Sequence, residues 1–102
     1  MQQELAQNNA VPEPCPEHVR LLCVLNEQGL HARPAARLAQ EAQKFQADIS
    51  ITLNGQKVDA KSILDVLTLA AGHGSNLEIR ARGEDAAQAV DALADLFKNR
   101  FR

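Results

Sequence analysis

Apolar residues first gather at Val19–Leu25 (VRLLCVL), where branched side chains predict a strand. Both alternating sets of positions are apolar there, so the pattern leaves its buried face open. Asn26 to Gly29 reads as a turn out of that strand. From Ala35 the spacing changes. Ala35, Leu38, Ala39, Ala42 and Phe45 recur at steps of three and four, which predicts one face of a helix over about residues 32–44. Strict alternation follows, with Ile49, Ile51 and Leu53 apolar against Asp48, Ser50 and Thr52. This is the signature of a strand buried on one side. Asn54-Gly55 signals a tight hairpin, so Gln56 to Ala60 is the expected return strand.

Ser62, with Asp65 three residues on, resembles a capping box and opens a short helix to about Leu69. Gly72-His73-Gly74 reads as a loop. Leu77, Ile79 and Ala81 then alternate with Glu78, Arg80 and Arg82 in a last strand, which Gly83 breaks. Ala86, Ala89, Val90, Leu93 and Leu96 mark a final helix. The predicted order is β-α-β-β-α-β-α. Strands with one apolar face and helices with one apolar stripe bury each other best as two layers, so the expected class is α+β.

Residues 1–17 carry three of the four prolines and no apolar period, and are expected to form a mobile extension ahead of a domain at 18–102. A chain of 102 residues with 45% hydrophobic residues suits one small domain. A net charge of -2 and 3% aromatic residues argue against a nucleic-acid partner. No apolar run approaches the ~20 residues of a membrane span, and no secretory signal is visible. Cys15 and Cys23 fit neither a disulfide framework nor a zinc site. Cys23 is expected as a small packed residue and Cys15 as a free thiol in the tail. These exclusions leave a soluble, cytoplasmic domain as the expectation, with no metal and no cofactor.

The stretch that carries chemistry is Gly29-Leu30-His31-Ala32-Arg33-Pro34, where the first strand hands over to the first helix. His31 falls at or beside the N-cap and Pro34 within the first turn, where a missing N–H costs nothing. Free N–H groups and the positive end of the helix dipole favour an anion there. Arg33 adds a permanent cation with several donors suited to phosphate oxygens. A helix N-terminus biases an imidazole toward its neutral, nucleophilic form. Gly29 frees the backbone for the turn. The residue types alone also fit a plain capping or surface histidine.

GLHARPA is similar to the active-site signature of HPr, the histidine phosphocarrier of the bacterial sugar phosphotransferase system. Ala60-Lys61-Ser62-Ile63, with Leu64, Val66, Leu67, Thr68 and Leu69, resembles the family's segment around a regulatory serine. Gly83-Glu84-Asp85 resembles a third segment, and the likeness runs from about Val19 to Phe101. The resemblance implies an open-faced sandwich, with a four-stranded antiparallel sheet in the order 1-4-2-3 and three helices on one face. It also implies a monomeric carrier phosphorylated on His31 Nδ1 by Enzyme I, drawing on phosphoenolpyruvate, and passing the group to EIIA domains of sugar permeases. Arg33 and the backbone N–H groups of Ala32 and Arg33 would steady the phosphoryl group. Catalysis would lie mainly in positioning and charge, much of it supplied by the partners.

Ser62 has two readings. It caps a helix, and the resemblance adds phosphorylation by HPr kinase/phosphorylase, with the phosphate tolerated at a helix N-terminus. Ile63, Leu64, Leu67 and Ala36 are the expected partner contacts, an apolar patch beside His31, with Leu64 foremost and Ile63 and Leu67 equally able to pack on the sheet. Three departures from the family pattern stand out: Gln28 where a small polar residue is usual, Asp65 in the docking helix, and Ala70-Ala71 in place of a glycine. His18 and His73 match no signature and are expected at the surface. A regulatory paralogue without sugar transport is the alternative reading; some such relatives lose the histidine that this chain keeps. A small enzyme using His31 as a general base lacks a second acid, nucleophile or metal cluster in the sequence.

Overall fold

The computed structural model describes residues 16–102. The elements are β1 (Glu17–Cys23), α1 (Ala32–Ala42), β2 (Asp48–Leu53), β3 (Gln56–Asp59), α2 (Ile63–Thr68), β4 (Asn76–Arg82) and α3 (Ala86–Lys98). The strands form one sheet in the order β1-β4-β2-β3, antiparallel throughout. Ile49 and Ile51 of β2 and Leu77, Ile79 and Ala81 of β4 point into the core, where the apolar stripes of α1 and α3 meet them. The opposite face is open and charged, with Ser50, Lys57, Asp59, Arg80 and Arg82 along a shallow depression. This is the α+β, open-faced arrangement of the expected order.

The face that the pattern left open on the first strand is settled by its neighbours. Leu22 stands opposite Leu77 and packs against the core, whereas Val19 and Leu21 project from the open face of an edge strand. Arg20 reaches across to α3, where its Nη2 lies 2.8 Å from Asp91 Oδ1. The strand also sits two residues earlier than the apolar run predicts. Glu17, assigned from sequence to the extension, pairs with Arg82, and the carbonyl of Pro16 accepts from Gly83 N–H at 2.8 Å. Pairing along the whole of β4 wins over local hydrophobicity, and Val24 and Leu25 leave the strand for the following loop. The expected mobility of the extension, and Cys15, lie outside the described residues. Cys23 is half-buried rather than packed away.

The hairpin follows the Asn54-Gly55 signal, with φ of +52° and +84°, the pair of left-handed residues that matches strand twist. The first helix ends at Ala42, short of the predicted Lys44. The last helix begins behind Gly83, whose φ is +147° and where an added Cβ would lie 2.8 Å from Ala47 Cα. Asp85 stands at the N-cap of α3 but does not cap it. Its carboxylate instead accepts from Gln46 N–H at 2.8 Å and Ala47 N–H at 2.9 Å, fastening the approach to β2 onto the start of α3. The Gln46 hydrogen bond, foremost, holds the Asp85 carboxyl below its ordinary range, with further help from Ala47 N–H and against a smaller desolvation effect.

Candidate functional site

The turn after β1 is closed twice on Gly29. Its N–H donates to the Asn26 carbonyl at 3.1 Å, and the Asn26 side-chain amide donates to the Gly29 carbonyl. Gly29 has φ +70°, and any Cβ there would collide with the carbonyl oxygen of Ala71 and lie 2.8 Å from Gly72 Cα. Glycine is required on both counts. The close approach lets Leu30 N–H donate to that same Ala71 carbonyl at 2.8 Å, while the Leu30 side chain is buried. One residue later the chain emerges at His31.

His31 is the N-cap of α1, extended at φ -77° and ψ -169°, and its carbonyl accepts from Ala35 N–H at 3.0 Å. Its side chain makes no capping bond and is exposed. The imidazole is therefore not occupied by the role that the plain reading would give it. Ala32 and Arg33 follow in the first turn, both exposed, and their N–H groups precede the first intrahelical bond. Pro34 is buried against the core, which fixes the helix without removing a donor from the ladder.

A cavity of about 390 Å³ opens beside His31, lined also by Asn26, Glu27, Gln28, Arg100 and Arg102. The two arginines come from the far end of the chain. After α3, Arg100 and Phe101 both take left-handed backbone (φ +56° and +60°), and Phe101 N–H donates to the Leu96 carbonyl at 2.8 Å. Phe101 is buried, its ring edge-on to Phe97 with centroids 5.0 Å apart. This fold-back carries Arg100 and Arg102 to the histidine. Sequence reading missed both arginines, because nothing local to Asn99–Arg102 says where the helix end points. It also missed the side-chain bond of Asn26, although it placed a turn there.

Ser62 lies at the opposite end of the helix pair from His31. The Gln43 side chain, just past α1, donates to the Lys61 carbonyl at 2.8 Å, and Lys61 Nζ donates to the Phe45 carbonyl at 2.8 Å. The C-terminal end of α1 thus meets the start of α2, and the loop after α2 returns to Gly29 and Leu30. Ser62 Oγ accepts from Asp65 N–H at 3.2 Å, the cap expected of it. The reciprocal half of a capping box is missing, since the Asp65 carboxylate accepts from Asp59 N–H at 3.3 Å instead. Leu64 is 75% exposed and Ile63 37%, while Leu67 packs partly against the core and Ala36 is half-buried. The apolar patch thus follows α2, and Ile63 and Leu64 begin at its Ser62 end. Ala70, where the family more often has glycine, takes φ +50°, so the left-handed position survives without the residue that suits it. His18 and His73 are exposed, as expected.

A family model described as "PTS HPr component phosphorylation site" matches residues 20–99, most of the described chain. The chain belongs to the HPr family. It is 46% identical over 80 residues to phosphocarrier protein HPr of Xylella fastidiosa, covering 78% of this chain and 90% of that one. It is also similar to the crystal structure of HPr from Bacillus anthracis, with TM-score 0.77 and 43% identity over 79% of this chain and 96% of the other. HPr from Thermoanaerobacter tengcongensis gives TM-score 0.80 at 37% identity, over 82% and 94% respectively. The matched span contains all three segments on which the family resemblance rests: His31 with its helix, Ser62 with α2, and Gly83-Glu84-Asp85. Among the described residues no helix is long and apolar enough to cross a membrane.

Proposed function

We propose that this HPr-family chain is a phosphoryl carrier whose acceptor is His31 Nδ1. The observation that carries the reading is the uncommitted imidazole: exposed, at the N-terminus of α1, and free of any capping bond. In its neutral form the ring attacks with the Nδ1 lone pair. An N–P bond forms as the donor's bond to phosphorus breaks, and the leaving group keeps that pair. The Ala32 and Arg33 N–H groups and the Arg33 guanidinium receive the charge on the phosphoryl oxygens. An N–P bond is labile, which suits a carrier that gives its group up again. The reaction needs no cofactor on the carrier, because the partner supplies the other half of the site.

Enzyme I is the donor in this reading and EIIA domains are the acceptors, with the chain acting as a monomer. Leu64 and Ile63 on α2, with Ala36 on α1 and the exposed part of Leu67, offer apolar contact to those partners. Ser62 is a helix cap first. Its placement away from His31 means that a phosphate added by HPr kinase/phosphorylase would act on the docking surface of α2 rather than on the imidazole. The retained His31 favours transfer over a purely signalling paralogue. The relay is tested by charging the chain with labelled phosphoenolpyruvate and Enzyme I, then adding an EIIA domain. Label moving from this chain to EIIA supports the reading; label that stays, or never arrives, contradicts it.

A further inference from the structure

The cavity beside His31 has a second wall that neither the helix terminus nor Arg33 supplies. Arg100 and Arg102 line it, and no carboxylate among the described residues lies within ion-pair distance of either guanidinium. Glu27 is the one acidic side chain in the lining, beside the two arginines. Their placement is built rather than accidental. Arg100 and the buried Phe101 hold left-handed backbone, which is unfavourable for non-glycine residues. The Phe101–Phe97 contact and the bond to the Leu96 carbonyl oppose that cost and hold the arginines on either side of Phe101 in place.

We propose that Arg100 and Arg102 are phosphate-holding residues of the His31 site, gripping the phosphoryl group once it is on the ring. The inference rests on His31 being the acceptor. When the N–P bond has formed and the donor has left with its electron pair, the phosphoryl oxygens carry the negative charge. The helix terminus can meet that charge from one side only. The guanidinium groups of Arg100 and Arg102, on residues that line the same cavity, add to what the terminus supplies, with a forked donor geometry suited to phosphate. The arginines therefore stabilise the charged carrier relative to the uncharged one.

That difference is read as an equilibrium. The chain is brought to equilibrium with fixed phosphoenolpyruvate and pyruvate, with Enzyme I as catalyst, and the phosphorylated fraction is measured by intact mass. The variant Arg100→Asn/Arg102→Gln removes both charges, and asparagine tolerates the left-handed backbone at position 100. Its uptake constant is expected to fall about 3- to 10-fold, with the 31P resonance of the phosphohistidine displaced. Arg100→Lys/Arg102→Lys keeps the charge and should recover most of the loss, which a merely structural role would not produce. An unchanged constant in the Asn/Gln variant overturns the inference, as does a slower approach to the same constant, which would place the arginines in donor docking. No uptake by the wild-type chain overturns the acceptor reading, and the inference with it.

Discussion

The backbone N–H of Leu30 donates to the carbonyl of Ala71 at 2.8 Å, tying the residue before His31 to the loop that follows α2. The bond joins segments 41 positions apart and sets where α1 begins. It exists only because Gly29 presents no side chain toward that loop. The imidazole is thus placed by its neighbour's backbone rather than by contacts of its own.

Replacing Gly29 by alanine should separate the two loops. The left-handed φ and the collision with Ala71 together are expected to cost about 2 kcal/mol or more, more than a surface Gly→Ala change. Denaturant unfolding measures the loss. Amide shifts should move at Leu30, His31 and Ala71 while the hairpin at Asn54-Gly55 stays unaltered. Gly55→Ala shares the positive φ but has open space around it, so it reports the backbone contribution alone.

Ala70→Gly is expected to stabilise the domain. Ala70 occupies φ +50° at the end of α2, a conformation glycine takes without a Cβ penalty. The greater freedom of glycine in the unfolded chain offsets part of the gain, leaving about 0.5–1 kcal/mol. A higher melting temperature with unchanged phosphoryl uptake is the predicted pair of results.

Much of this was legible in advance, and the limits have physical causes. Alternation in Ile49–Leu53 and in Leu77–Ala81, and the three-and-four spacing from Ala35, are local signals, so those elements lie where the pattern puts them, apart from the earlier end of α1 at Ala42. β1 is different: with both parities apolar, its register and buried face depend on β4, which local pattern cannot report. The His31 segment was readable because helix start, arginine and glycine are contiguous. Nothing near Asp85 in sequence signals its bonds to Gln46 and Ala47, 39 and 38 positions away, which only the fold brings together. Arg100 and Arg102 were invisible for the same reason.

Asp85 makes stability depend on acid. Its carboxyl is held below the ordinary carboxylate range, foremost by the Gln46 N–H, so the folded state binds its proton less readily than the unfolded chain. The stabilisation is therefore complete above about pH 4, the unfolded value, and is lost as pH falls through the lowered native value. Asp85→Asn should be less stable than wild type at neutral pH, and the gap should close as the pH drops below the carboxylate range. Urea midpoints across an acid series test this; a gap independent of pH contradicts it.

Arg33→Glu should slow phosphoryl uptake with little effect on folding. Arg33 is exposed in the first turn of α1 and has no ion-pair partner among the described residues. Reversing its charge places a carboxylate beside the incoming phosphoryl group, while acid in a first helical turn is tolerated by the dipole. The expected loss of uptake rate is about tenfold or more, with the unfolding midpoint moved by no more than about 0.5 kcal/mol. A large drop in melting temperature would instead place Arg33 in the scaffold.

The most direct test of the central claim is intact-mass measurement after incubation with phosphoenolpyruvate and Enzyme I, on wild type and His31→Ala side by side. The wild-type chain should gain a single phosphoryl group that acid removes, and His31→Ala should gain none. Equal behaviour of the two proteins, or an acid-stable modification of wild type, would contradict the assignment of His31 as the carrier residue.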